Sequence, residues 1–217
     1  MDSNAFVKKL TFKSQDLGAN IDLLLTFDDQ PIGELYKKYY PSAFAVRKFA
    51  ADGAYHCEIV YRSQLAFTKV VVSNDVIQSA STEVSIDVGQ STILTQKGEV
   101  YQFSDPKTDP LVPKKNIQCT NSAPYKQDIG VGFIEQDGAM PKTALVWRGV
   151  GHAQKLNAEF TPILRGYIGT DYQENSLIKG QVETDRLFEQ DLAALDDNTT
   201  WNITYEPSTG VFSIDQV

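Results

Sequence analysis

The chemically versatile residues of this chain are few. In 217 residues there are two histidines, His56 and His152, and two cysteines, Cys57 and Cys119. A closed zinc site needs four Cys or His ligands, usually in closely spaced pairs, and this spacing does not occur here. The sequence patterns of a nucleophile elbow, a phosphate-binding glycine loop and an EF-hand do not occur either. We therefore expect no metal and no other cofactor.

The best candidates for ligand binding lie in the segment from Val146 to His152. Trp147 offers a flat apolar face, and Arg148 offers a planar set of N–H donors that suits sugars and small anions. His152 would join them if the chain turns at the two intervening glycines. The alternative is that Trp147 ends an apolar strand and points into the core, while Arg148 and His152 are solvated.

A second candidate set lies near the C-terminus, where aromatic and polar residues alternate. In a strand, Trp201 and Tyr205 share one face, and Asn202 lies on the other. An aromatic face of this kind usually packs into the core. If it were exposed at a sheet edge, it would form a platform for a sugar ring, so Trp201, Asn202 and Tyr205 complete the candidate ligand-binding residues.

Paired glycines stand out in Asp128 to Phe133 and again at Gly149 and Gly151. In a strand context they allow close approach of another backbone or a ligand, or they mark bulges. No helix is predicted to follow them, so an anion site at a helix N-terminus is not indicated. We expect a bulge or a tight bend.

The charge and hydrophobic pattern exclude some classes of partner. The formal net charge is −8, whereas binding to nucleic acid requires a basic surface. No apolar run approaches the roughly 20 residues that span a bilayer, and no secretion signal is evident at the N-terminus. We expect a soluble cytoplasmic protein without a nucleic-acid partner; the alternative is a secreted form from which the signal has been trimmed. In the cytoplasm both cysteines stay reduced; we expect Cys57 to be buried and Cys119, in a proline-rich stretch, to be more accessible.

The dominant period of the sequence is two, which predicts strands. Five segments are rich in β-branched and aromatic residues and end at turn formers: 20–27, 55–61, 65–72, 82–88 and 143–147. Two hairpins are predicted, over 91–103 and 200–215. The fold class is therefore all-β or β-rich α+β, a single antiparallel β-sandwich over residues 1–217, with a jelly roll or a barrel as alternatives.

Two helices and one long loop complete the prediction. The segment 184–195 carries Leu187, Phe188, Leu192 and Leu195 at helical spacing, which predicts an amphipathic helix. A short helix is predicted near 31–40, because Pro31 suits a first helical turn. Four prolines interrupt 104–127, which predicts a functional loop with a short strand near 117–119.

These patterns predict a noncatalytic binding protein that recognises a glycan or a cell-surface ligand in the manner of a lectin; a homo-oligomer is left open. The alternative is a cofactor-free enzyme of the isomerase, cyclase or hydrolase type with a cavity inside the sandwich or barrel. It would use His152 with Arg148, or Asp128, as acid and base.

Overall fold

The computed structural model describes residues 5–28, 35–134 and 140–217. These ranges form an all-β structure and contain no helix. The strands are β1 Val7–Gln15, β2 Ile21–Thr26, β3 Tyr39–Pro41, β4 Ala45–Phe49, β5 Ala54–Arg62, β6 Leu65–Ser73, β7 Val76–Ser85, β8 Gln90–Lys97, β9 Val100–Phe103, β10 Lys107–Thr108, β11 Asn116–Asn121, β12 Gln127–Phe133, β13 Lys142–Val150, β14 Lys155–Glu159, β15 Ile163–Ile168, β16 Arg186–Asp191, β17 Asn198–Glu206 and β18 Val211–Gln216.

The alternation of apolar and polar residues accounts for these strands. In β1, Leu10 and Phe12 are fully buried, whereas Lys9 and Lys13 between and beyond them are exposed. Successive side chains of a strand point to opposite faces, so this pattern buries one face and solvates the other. The five predicted strand segments correspond to β2, β5, β6, β7 and β13, and the hairpins to β8–β9 and β17–β18. These predictions are confirmed except at 82–88, which is strand only up to Ser85, because β7 spans Val76–Ser85.

The strands form four sheets, which we number I to IV. Their strand orders are β18-β17-β1-β5 in sheet I, β10-β8-β11-β14 in sheet II with β9 also paired to β8, β3-β13-β12-β6-β7 in sheet III and β16-β15-β2-β4 in sheet IV. Most pairings are antiparallel, but β1 pairs with β17 and β8 with β11 in parallel. Sheets I and II are therefore mixed, which the expectation of a purely antiparallel fold missed.

A cluster of buried aromatic rings joins all four sheets. Phe133, at the end of β12 in sheet III, lies with its ring centroid 4.7 Å from Tyr61 of sheet I and 5.1 Å from Phe27, which follows β2 of sheet IV. It also lies 4.6 Å from Phe160, which follows β14 of sheet II. Most of these pairs are steeply inclined, as edge-to-face aromatic contacts prefer. The cluster gives the sheets a common core.

The predicted helix over 184–195 is wrong, because this segment contains β16. Phe188 is buried in an edge-to-face contact with Phe12 at 5.3 Å and with Trp201 at 4.8 Å. It pairs with Gly166 of β15, where a Cβ atom would come within 2.9 Å of the Phe188 Cβ. The strand fits because Gly166 leaves room for Phe188, and this packing outweighs the local helical pattern.

The predicted helix near 31–40 is also wrong over 35–40, the part of this segment that the structure describes. Residues 31–34 lie outside the described ranges. From Leu35 the chain makes a turn in which Tyr36 has a φ of 60° and its N–H donates to the carbonyl of Tyr39 at 2.9 Å. β3 then begins at Tyr39. A left-handed residue followed by an extended strand ends any helix at this point.

The proline-rich stretch 104–127 has little regular structure except β10 and β11, as expected. The predicted short strand at 117–119 is the centre of the longer β11. In this structure β11 lies inside sheet II, between β8 and β14.

That position reverses the expectation for the two thiols. Both cysteines are free, but Cys119 on β11 is completely buried, whereas Cys57 on the outer strand β5 of sheet I is only partly buried. Burial raises the pKa of Cys57 to about 11 and that of Cys119 to about 12, because it disfavours the charged thiolate. Cys119 is the less accessible and less reactive thiol.

In the described part of the chain, no helix is long and apolar enough to cross a bilayer.

Candidate functional site

A cleft of about 520 Å³ opens beside sheets III and II, where β3 and β13 come close to β14. It contains the two leading candidates from the sequence, Trp147 and Arg148. The described residues that line it are Lys37, Lys38, Tyr39, Trp147, Arg148, Gly149, Val150, Gln154, Lys155, Leu156 and Asn157. Ligand pockets usually range from about 300 to 1,000 Å³, so the size suits a small molecule or a short oligomer.

A β-bulge in β13 shapes one wall of the cleft. Between the pairs Gln127–Val150 and Ile129–Trp147 the register shifts, so that Asp128 faces both Arg148 and Gly149. Gly149 has a φ of +65°, a conformation that glycine adopts without a steric penalty. The predicted bulge is confirmed at this glycine. It places two consecutive residues, Arg148 and Gly149, on the exposed side of the strand.

Asp128 holds both residues of the bulge. Its Oδ1 accepts the backbone N–H of Gly149 at 2.8 Å, and its Oδ2 lies 2.9 Å from Nε of Arg148. The Nη1 atom of Arg148 is 3.9 Å from Asp75, which is longer than a hydrogen bond. Asp128 therefore orients the guanidinium through Nε, and the terminal nitrogens keep N–H donors for a ligand.

Gly130 and Gly132 have a structural role in sheet III. A Cβ atom on Gly132 would lie 2.0 Å from the carbonyl oxygen of Lys142, and one on Gly130 would lie 2.5 Å from Oγ1 of Thr68. These glycines allow close strand approach, as the sequence predicted.

Trp147 is 8% exposed. Its ring stacks on that of Tyr39, with centroids 5.0 Å apart and planes inclined by 25°. Tyr39 is its register partner on β3. Each ring covers a face of the other, so the cleft meets only a small part of the indole. Trp147 is a rigid wall of the cleft and not an open stacking platform.

The described charged side chains that line the cleft are cationic although the chain is acidic, and one of them, Arg148, pairs with Asp128. Lys37, Lys38, Arg148 and Lys155 line it, and the described lining residues include no Asp or Glu. Lys37 and Lys155 are exposed, and neither forms an ion pair with any residue that the structure describes. Because the chain carries a net charge of −8, this concentration of cations is a local feature.

The two amide side chains of the cleft are also oriented as donors. Oδ1 of Asn157 accepts a hydrogen bond from Gln118 at 2.7 Å, and Oε1 of Gln154 accepts the backbone N–H of Gly151 at 2.7 Å. In each amide the oxygen is engaged by the protein. The nitrogen, with two N–H groups, is left to face a ligand or water.

His152 lies on the turn after β13 and does not line the cleft. It is exposed, and its Nδ1 donates to the carbonyl of Ala123 at 2.9 Å. The same loop is fixed by Asn121, whose amide nitrogen donates to the carbonyls of Tyr125 and Val150 at 3.0 and 2.8 Å. These contacts hold the turn that carries His152 against the loop of residues 121–125.

The second candidate set is in a different part of the molecule. Trp201 is 3% exposed, and its Nε1 donates to Oγ1 of Thr199 at 2.9 Å. Asn202 and Tyr205 are half-buried on the same strand, β17, and the ring of Tyr205 contacts Phe212 at 4.6 Å. None of the three lines the cleft. Trp201 belongs to the core between sheets I and IV.

Sequence reasoning missed the lysines and amides of the cleft. Lys37 and Lys38 lie between tyrosines in the segment 31–40, for which a helix was predicted, and Lys155 and Asn157 lie on β14, which was not predicted. The one available signal was the run Tyr36-Lys-Lys-Tyr39, in which basic and aromatic residues are adjacent.

No family model, curated protein or solved structure matches this chain. Within the described ranges, no three His, Cys, Asp or Glu side chains are grouped so that they could hold a metal ion.

Proposed function

We propose that this chain is a noncatalytic, lectin-like recognition protein that binds a glycan or another small ligand in the Trp147–Arg148 cleft. The observation that carries the proposal is the composition of the cleft. A rigid aromatic wall, an oriented guanidinium and the Asn157 amide meet around one cavity of suitable size. A few fixed polar groups beside apolar walls are typical of small-ligand sites.

The contacts favour binding over catalysis by the groups that the enzyme alternative requires. The carboxylate of Asp128 is engaged by Arg148 and Gly149, and Nδ1 of His152 is engaged by the Ala123 carbonyl. A general base needs to reach the proton that it removes. Both oxygens of Asp128 are engaged by the protein, and His152, whose Nε2 is not used in the contact with Ala123, does not line the cleft.

We also infer that the sheets pack face to face in pairs, as in a β-sandwich. Phe12 of sheet I contacts Phe188 of sheet IV at 5.3 Å, and Phe67 of sheet III stacks on Phe103 of sheet II at 6.5 Å. Side chains from facing sheets that interdigitate in this way form the core of a sandwich. The cleft would then lie at the edge between the two layers formed by sheets III and II.

The two tryptophans make a matched test of the site. The Trp201→Phe variant keeps Trp147 as its one tryptophan, and Trp147→Phe keeps Trp201. In a screen of immobilised glycans followed by fluorescence titration, we expect the bound glycan to change the emission of Trp201→Phe only. Circular dichroism of both variants checks that the fold is kept.

The opposite pattern, in which only the Trp201 emission responds, would move the site to sheet I and contradict the proposal. Failure of the whole glycan panel to bind would also contradict it. Mass spectrometry of the recovered ligand tests the alternative that the protein is an enzyme, because a covalent change in the glycan would show turnover.

A further inference from the structure

We infer that the Trp147–Arg148 cleft selects an anionic glycan, one whose sugar ring carries a sulfate ester or a carboxylate. This inference rests on the proposed function and names its ligand class. The first support is charge. Three described segments of the chain, at 37–38, 148 and 155, bring four cationic side chains to one cavity; Asp128, which pairs with Arg148, is not among the described lining residues.

The second support is that the lysine, arginine and amide side chains of the cleft offer hydrogen-bond donors. Lysine and arginine side chains donate and cannot accept. The amide oxygens of Asn157 and Gln154 accept from Gln118 and from the backbone N–H of Gly151, so a ligand is met by their N–H groups. A neutral sugar hydroxyl both donates and accepts, whereas a sulfate or carboxylate only accepts. A donor-rich cleft therefore suits the anion better.

The aromatic wall favours a sugar over a nucleotide. A nucleobase binds mainly by stacking its plane on an exposed ring, and each such contact contributes about 1–3 kcal/mol. Here Trp147 and Tyr39 stack on each other and are 8% and 1% exposed, so little ring face remains. Recognition then depends on charge and hydrogen bonds around the ligand, which a substituted sugar supplies.

The test uses the full chain and three tetrasaccharides of equal length, titrated by calorimetry. Chondroitin 4-sulfate carries sulfate and carboxylate, unsulfated chondroitin carries carboxylate alone, and its carboxyl-reduced form is neutral. Since a hydrogen bond to a charged group contributes about 1.5 kcal/mol or more, we expect at least about tenfold tighter binding of an anionic form than of the neutral one. The affinity should fall as salt is added, because salt screens the exposed charges. The two anionic forms distinguish sulfate from carboxylate recognition.

Lys155→Gln should weaken binding of the preferred anionic tetrasaccharide by about tenfold, the loss expected when one charged hydrogen bond is removed. Lys97→Gln is the matched control. Lys97 is an exposed lysine at the β8–β9 turn that does not line the cleft, and its variant should bind as the wild type does. Arg148→Lys keeps the charge but loses the planar donor set, so it should also weaken binding.

Equal binding of the neutral and anionic tetrasaccharides would overturn the selectivity and leave the proposed function standing. An equal loss in Lys155→Gln and Lys97→Gln would also overturn it, because the effect would then be general charge attraction. Tighter binding of adenosine monophosphate than of any tetrasaccharide would overturn the assignment to a sugar. If no glycan binds in either this series or the array, the proposed function itself fails.

Discussion

Replacing Phe133 by alanine should destabilise the whole molecule, because this ring joins the four sheets. Phe133 is fully buried, and ring centroids of Phe27, Phe44, Tyr61 and Phe160 lie 4.6 to 5.9 Å from it. Truncating a buried Phe costs about 3–5 kcal/mol, from lost transfer free energy and the remaining cavity. With this many ring neighbours the site cannot easily collapse, so we expect about 4 kcal/mol.

Urea unfolding followed by tryptophan fluorescence measures this effect and tests whether the chain is one domain. Trp147 reports on sheet III and Trp201 on sheet I. At an m-value of about 2 kcal/mol/M, a loss of about 4 kcal/mol lowers the midpoint by about 2 M. We expect the midpoint to fall equally in the two single-tryptophan backgrounds, since one cooperative unit unfolds in one transition.

Phe212→Ala is the control, with the same chemical change at a half-buried ring on the outer strand β18. Among the described residues, Phe212 contacts one ring, that of Tyr205. Half-burial of a Phe side chain corresponds to about 1 kcal/mol. The reasoning is refuted if Phe133→Ala costs no more than Phe212→Ala. A shift in the Trp147 transition alone would show instead that sheets I and III unfold separately.

Three further predictions concern single positions. A thiol reagent should modify Cys57 of the native protein before the fully buried Cys119, and labelling of both should accelerate above pH 9, as the rising pH approaches their raised pKa values. Gly132→Ala should prevent stable folding, measured as lost soluble expression and a lost cooperative melt, because its Cβ would lie 2.0 Å from a backbone oxygen of the facing strand. A hydrogen bond from Arg165 holds the pKa of Glu189 below its usual range. The ionised Glu189 therefore stabilises the folded state at neutral pH. This stabilisation is lost as the pH falls below about 4.5 and through the lowered pKa of Glu189. Glu189→Gln should therefore flatten the acid limb of a melting-temperature profile, by less than about 1 kcal/mol because the side chain is exposed.

The strands were predictable because their signal is local. Alternation in 20–27 or 55–61 depends only on neighbouring residues, and turn formers mark where each segment ends. The hairpins over 91–103 and 200–215 were predictable for the same reason. The parallel pairings of β1 with β17 and of β8 with β11 join distant segments, and nothing in either segment encodes its partner.

The false helix at 184–195 shows how a local pattern can mislead. Phe188 is buried from a strand, and Leu192 is buried from the turn that follows, where its N–H donates to the carbonyl of Pro162. The four-residue spacing of these two apolar side chains matches a helical stripe, but two different local structures produce it. The decisive feature was Gly166, on another strand, which makes room for Phe188.

The candidate site was half predictable for the same physical reason. Trp147, Arg148 and Gly149 are adjacent in sequence, so their shared chemistry and the bulge could be proposed from the residues alone. Lys37, Lys38 and Lys155 join them only after β3 pairs with β13 and β11 pairs with β14. The positive charge that the lysines bring to the cleft therefore depends on strand pairing. Arg148, in contrast, could be identified from its own segment.

Asp128 links the local motif to this assembled charge. Arg148 shares the cleft with three lysines, and like charges repel, so on its own it would turn toward solvent. Coulomb attraction to one carboxylate can offset this repulsion. Asp128 supplies that attraction at 2.9 Å, from the strand opposite and outside the lining of the cleft, while its second oxygen fixes Gly149. The carboxylate therefore orients Arg148 at the expense of part of its charge, so in the cleft Arg148 acts mainly through its ordered N–H donors, and Lys37 and Lys155 supply positive charge.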